Sequence, residues 1–255
     1  MSIVVTPVGQ VPALGRAEAA VVAATENERF VRLLAALRPD DWTKRTDCPA
    51  WDVRALASHV LGGMEGNVSF PTFIHQFRAG KKAAGDRPSI DGMTEVQVRE
   101  RSHLGPAELL TGLADLAPRA ARARKRLPGL LRHLPMQVEV ENVMEKWSLG
   151  YLFDIIFTRD TWMHRVDIAR ATGHPLELTA EHDGRIIADV VVEWARRHGQ
   201  PFTLILLGPA GGTFSDGESG VEITIDAVEF ARVLSGRAPS TPALARGLLA
   251  QPVPF

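Results

Sequence analysis

The chain has 255 residues, 45% hydrophobic and 23% charged, with a formal net charge of −1. Such a composition packs into one large or two small globular domains and excludes a disordered chain. The near-zero charge gives no broad attraction to nucleic acid or anionic lipid, and the single cysteine, Cys48, excludes an internal disulfide framework or a multi-cysteine zinc site.

The N-terminus, MSIVVTPVGQVPALG, lacks a basic start followed by an apolar run, so no signal peptide is expected. No apolar run is long enough to span a bilayer, and a reducing, cytoplasmic setting is expected. The first predicted helix runs from about Ala17 to Leu37, with Val22, Phe30, Leu34 and Leu37 at helical spacing and Pro39 as its stop. The second follows Pro49, with Asp52 in its first turn and Val53, Leu56, Val60 and Met64 as its apolar stripe. Ala79 to Gly105 reads as a long irregular crossing. A third helix starts near Pro106, is open to a kink at Pro118, and ends in a basic run, Arg119, Arg122, Arg124, Lys125 and Arg126, read as a solvated helix end.

The fourth helix, from about Ser148 to Thr172, is apolar around much of its circumference and is stopped by Gly173 and Pro175. After Pro175 the grammar changes. Thr179 is placed to cap a helix ending near Gly199, FTLILL and VEITI read as strands, and the PAGGTFSDGESG between them reads as turns. A last helix spans Asp226 to Leu234, with Asp226 and Glu229 at capping-box spacing. The expected class is α+β: a four-helix bundle over residues 1–175, then a small α/β domain over 176–255.

Polar groups on the buried fourth helix need an explanation. Asp160 and His164, four apart, share one face, and Asp167 falls close to the same stripe. Either residue alone is an ordinary core feature, a hydrogen-bonded histidine or an ion-pair partner. Together they form a two-toothed metal platform. His59 on the second helix lies beside its apolar stripe, followed by Gly62, Gly63 and Gly66. Those glycines fit either close helix packing or an open space above a metal. Three ligands, His59, Asp160 and His164, suit zinc or another divalent ion with an open position. Asp167 is placed to orient an imidazole, or to pair with Arg165 or Arg170. Cys48 is expected to be a buried structural thiol, and His174, His182 and His198 to be surface residues.

Two segments, DWTKRTDCPAWDVRALASHVLG and RDTWMHRVDIARATGHP, resemble the signature regions of the mycothiol-dependent maleylpyruvate isomerase family, within the wider DinB-like bundles. The first carries Cys48, Pro49, Trp51 and His59, and the second carries Asp160, His164 and Asp167. VEITIDAVEFARVLSGRAP is similar to that family's C-terminal strand and helix. The resemblance implies a DinB-like metal-binding bundle, a sterol-carrier-like C-terminal domain, and mycothiol as thiol cosubstrate. It also implies an arginine from the second domain, best matched by Arg237 with Arg232 behind it. One departure is visible: the family's isomerases carry glutamate where this chain has Asp160. The expected function is a metal- and mycothiol-dependent isomerase or S-transferase acting on a small electrophile, with no nucleic-acid or membrane partner. The alternatives are a metal-dependent hydrolase, a non-enzymatic small-molecule binder, or a bundle using metal only for structure.

Overall fold

The fold is described from a computed structural model, over residues 4–140, 143–238 and 247–255. The chain opens with a short strand, β1 (Val5–Pro7), before the first helix, α1 (Arg16–Ala35). Then come α2 (Val53–Val68), α3 (Phe70–Ala84), α4 (Ser89–Glu100) and α5 (Pro106–Arg126). Strands β2 (Pro135–Val140) and β3 (Val143–Ser148) pair antiparallel. A π-helical turn over Leu152–Ile156 leads directly into α6 (Phe157–Thr172). The remainder is α7 (Asp183–His198), β4 (Phe202–Leu207), β5 (Gly212–Asp216), β6 (Val221–Asp226) and α8 (Ala227–Leu234).

Two compact units result, Arg16–Leu176 and Met1–Gly15 with Glu177–Phe255. The first is built on α1, α2, α5 and α6, which pack on one another as a helical bundle. Phe30, Leu34, Leu56, Val60, Leu109, Leu113 and Ile168 form its dry centre. Asp52 is the N-cap of α2, its carboxylate accepting from the Ala55 N–H at 2.8 Å. Ser69 caps α3 in the same way. Pro118 stands inside α5 without ending it, and α6 closes on Gly173 in the left-handed conformation, φ 75°.

The segment expected to be an irregular crossing is instead the end of α3 and all of α4. Its glycines are the reason for the misreading. A Cβ at Gly80 would stand 2.5 Å from Met93 Cα, and one at Gly92 would strike the Gly80 carbonyl. The glycines serve a close helix crossing, in which a missing side chain lets two backbones touch, and not a loop.

The second unit is a mixed four-stranded sheet in the order β1-β5-β4-β6, flanked by α7 and α8. Phe202, Leu204 and Leu206 alternate inward from β4, where Phe202 meets Trp194 of α7, whose ring in turn meets Phe230 of α8. Asp226 caps α8 by accepting from Val228 and Glu229, while the Glu229 carboxylate turns to Arg232 and completes no capping box. Two expectations are corrected. Gly212–Asp216, read as turn, is a strand paired with β4. Residues 1–15, read as part of the bundle, carry β1, which pairs parallel with β5 through Val5↔Thr213. A three-residue edge strand is too short for its alternation to be visible in sequence. Thr179 accepts from the His182 N–H, but α7 begins only at Asp183. No helix among the described residues is long and apolar enough to cross a membrane.

Candidate metal centre

His59 projects from the second turn of α2, and Asp160 and His164 from the first two turns of α6. The bundle brings them together. His59 Nε2 lies 3.1 and 3.3 Å from the two Asp160 oxygens, and His164 Nε2 lies 3.2 Å from Asp160 Oδ1. Both imidazoles are buried, at 6% and 2% exposure, and meet edge to face with centroids 5.1 Å apart. Trp51 closes one side, its ring 5.2 Å from that of His59. The Asp160 side chain keeps 24% exposure and is the accessible edge of the group.

The far nitrogens of the two rings fix what the near ones do. Gln76 Nε2 donates to the Gly62 carbonyl at 2.9 Å, which leaves Gln76 Oε1 as an acceptor. Gln97 Nε2 donates to that oxygen at 2.9 Å, so Gln97 Oε1 is an acceptor too. His59 Nδ1, 2.8 Å away, must therefore carry a proton. Likewise His164 Nδ1 donates to Asp167 Oδ2 at 3.1 Å. In each neutral imidazole the Nε2 lone pair then faces the Asp160 carboxylate. Three electron-pair donors that converge with no proton between them need a cation, either a proton or a metal.

The pKa shifts agree with that reading. Burial pushes the Asp160 carboxyl up, but the facing His59 and His164 outweigh it and hold the group well below the usual carboxylate range. Burial pushes the His164 imidazole down, but Asp160 and then Asp167 and Cys48 outweigh it and raise it well above the ordinary value.

The residues present fit a divalent ion. Donors about 2.0–2.1 Å from tetrahedral zinc lie roughly 3.3 Å from one another. The separations of 3.1–3.3 Å between Asp160 and the two Nε2 atoms are close to that edge length. All three ligand atoms fall within 4.8 Å of one another, and among the described residues a second such group shares His164 with Cys48 and Asp167.

Several residues of this site are not legible in the sequence. Gln76 sits on α3 beside the apolar positions Phe70, Phe73, Ile74 and Phe77, and Gln97 sits on α4; neither amide belongs to a motif. Gly62 proves to be a packing glycine: a Cβ there would lie 2.8 Å from Gln97 Cβ, so its absence admits the residue that orients His59. Gly66 is likewise close to Gln76, whereas Gly63 faces open space. Cys48, expected to be buried, is half-buried, with Sγ 3.6 Å from Asp167 Oδ2. Of the two arginines weighed as partners of Asp167, Arg165 meets Glu26 at 2.7 Å and Arg170 meets Asp47 at 3.1 Å.

The basic run is also corrected. Arg124, expected on a solvated face, is buried at 2% exposure, donates to Thr158 Oγ1 at 2.5 Å and lies over the Phe157 ring. Burial lowers its guanidinium to about 10, while Asp160 pulls the other way. It remains a cation at neutral pH in the field of the site. His182, expected at the surface, is buried, and His174 meets Asp41 at 3.2 Å. Arg232, the second match for the family's arginine, is buried against Glu229. Arg237 belongs to the second unit, half-buried just past α8, where its N–H donates to the Arg232 carbonyl at 2.8 Å.

Residues 23–169 match the family described as the mycothiol maleylpyruvate isomerase N-terminal domain. The chain belongs to this family. Among solved structures it is similar to a mycothiol-dependent maleylpyruvate isomerase and to a histidine-to-alanine mutant of one. Each is 14% identical, with a TM-score of 0.56 over 91% of this chain and 92% of the other. That likeness extends the α+β architecture, a helical bundle with a small α/β domain, across nearly the whole chain. No match is found among curated proteins.

Proposed function

We propose that this member of the family is a metal-dependent, mycothiol-dependent isomerase or S-transferase acting on a small electrophilic substrate. The observation that carries the reading is the convergence of His59 Nε2, His164 Nε2 and the Asp160 carboxylate, with both Nδ1 atoms already committed to acceptors. A site with two imidazoles and one carboxylate suits zinc best among common divalent ions. When bound, such an ion supplies Lewis acidity that keeps a thiol ionised at neutral pH.

In this reading Gln97 and Asp167 hold the two imidazoles in the ligating tautomer, and Trp51 shields His59 from water. The thiol comes from mycothiol, because the Cys48 sulfur is turned to Asp167. The thiolate adds to an electrophilic carbon, and its later elimination gives the isomer, whereas its retention gives an S-conjugate. Arg237 pairs with a carboxylate of the substrate or of the thiol. The small α/β unit over residues 176–255 would supply that arginine, in a cytoplasmic setting where the thiol is reduced.

The test incubates zinc-loaded protein with mycothiol and a panel of small electrophiles, followed by mass spectrometry. The expected result is an isomerised substrate or a mycothiol conjugate, formed only when metal and thiol are both present. Turnover to a hydrolysed product without thiol would replace this reading with a metal-dependent hydrolase.

A further inference from the structure

The basic run at the end of α5 separates into two faces. Arg124 turns inward. Arg119, Arg122 and Arg126, spaced three and four apart, form one stripe along the helix. That stripe lines a cavity of about 520 Å³ within the bundle unit. The end of α2 supplies Gly66, Asn67 and Val68, and Phe70, Leu127 and Phe153 supply apolar wall. The volume lies in the range of small-molecule sites.

Two features of this cavity are unexplained by the fold. Asn67 is buried, at 7% exposure, and its amide oxygen has no hydrogen-bond partner. A buried amide left unpaired costs roughly 1–3 kcal/mol in mutational data. In addition, among the described residues neither Arg122 nor Arg126 has an ion-pair or hydrogen-bond partner, while Arg119 holds only the exposed Asp115, at 2.7 Å. Cations in the last turn of a helix complement its dipole, which accounts for Arg126. It does not account for Arg119, two turns earlier, or for the unmet amide on a different helix.

We infer that this cavity is a binding site for a small organic anion, with a phosphate or carboxylate head held by Arg122, Arg126 and Arg119 and an apolar body against Phe70 and Phe153. Arginine forks match such oxyanions in geometry, and the half-exposed Phe70 ring offers a face to a planar body. Asn67 Oδ1 is an acceptor, so it reads a hydrogen-bond donor elsewhere on the ligand and not the anionic head. The site lies seven residues beyond His59 on α2, about 10 Å along the helix, and it does not depend on metal at His59.

The test is calorimetric titration at low salt with phenyl phosphate, benzoate and inorganic phosphate, on wild-type protein and on Arg122→Ala, Arg126→Ala and Lys125→Ala. All three positions are exposed, so the fold is not threatened, and Lys125 is a neighbouring cation outside the cavity lining. The expected result is saturable one-to-one binding of phenyl phosphate or benzoate, tighter than that of inorganic phosphate. Loss of either arginine should weaken it about ten-fold or more, Lys125→Ala should leave it unchanged, and metal content should be constant throughout. The inference is overturned if neither aromatic anion saturates, if inorganic phosphate binds as tightly, or if Lys125→Ala weakens binding as much as the arginine substitutions.

Discussion

The two polar regions of the bundle unit, reached from the same helix α2, are built on opposite plans. Around His59, Asp160 and His164 each ring nitrogen either donates to a fixed acceptor or faces the Asp160 carboxylate, and the chain of bonds behind His59 runs back to the Gly62 carbonyl. Around Arg119, Arg122 and Arg126 the side chains are exposed and almost unheld. The first plan suits a small ion, whose short bonds demand fixed directions. The second suits a larger anion, met by side chains that settle around it. Preorganisation is visible as a chain of hydrogen bonds, and its absence as long cations beside an unfilled space.

That contrast can be broken at several strengths. The largest effect belongs to the scaffold behind the organised site. Glu26 and Arg165 are almost fully buried and joined at 2.7 and 3.0 Å. Glu26→Ala should cost about 3–5 kcal/mol in urea unfolding, because it removes the carboxylate that holds the buried Arg165 guanidinium at two points. Next, Gln97→Leu removes the acceptor that orients His59. Metal affinity should fall about 10- to 100-fold by competition with a chelating dye, and stability in urea unfolding should fall by roughly 1–3 kcal/mol, because His59 Nδ1 and Gln76 Oε1 are left buried without a partner.

The pH dependence follows from His164. Its folded pKa is raised, so without metal its attraction to Asp160 stabilises the protein fully below the ordinary value of 6.5 and is lost as pH rises through the raised value. Metal must displace that proton. Apparent affinity should therefore rise with pH, by up to about ten-fold per unit, until the raised pKa is passed, with Asp160 ionised throughout. An affinity flat over this window would mean that His164 is not a ligand. The smallest effect lies in the loosely held region. Arg119→Ala breaks an exposed ion pair and should shift stability by less than about 0.5 kcal/mol.

What the sequence showed and what it hid follow the same division. Asp160 and His164 were legible because helical spacing puts residues four apart on one face, and His59 because it flanks an apolar stripe. The strands β4 and β6 were legible as apolar runs between turns. Gln76, Gln97 and the half-buried Cys48 were not. They reach the site through tertiary contacts between α2, α3, α4 and the turn before α2, and neither amide belongs to a pattern that announces a role. Gly80 and Gly92 concealed two helices because a crossing glycine and a loop glycine look alike in sequence. Arg124 was hidden in the run of cations around it, since charge alone does not say which face of α5 turns inward.

The central claim is that His59, Asp160 and His164 together hold one divalent ion. The direct measurement is metal content by elemental analysis after zinc reconstitution and desalting, on wild-type protein and on His59→Ala, Asp160→Ala and His164→Ala, with circular dichroism as the check on folding. The account predicts one zinc per wild-type chain and a sharp loss in each folded variant. Wild-type protein without zinc, or variants that keep it, would show instead that the two imidazoles and Asp160 are a proton-bridged structural cluster.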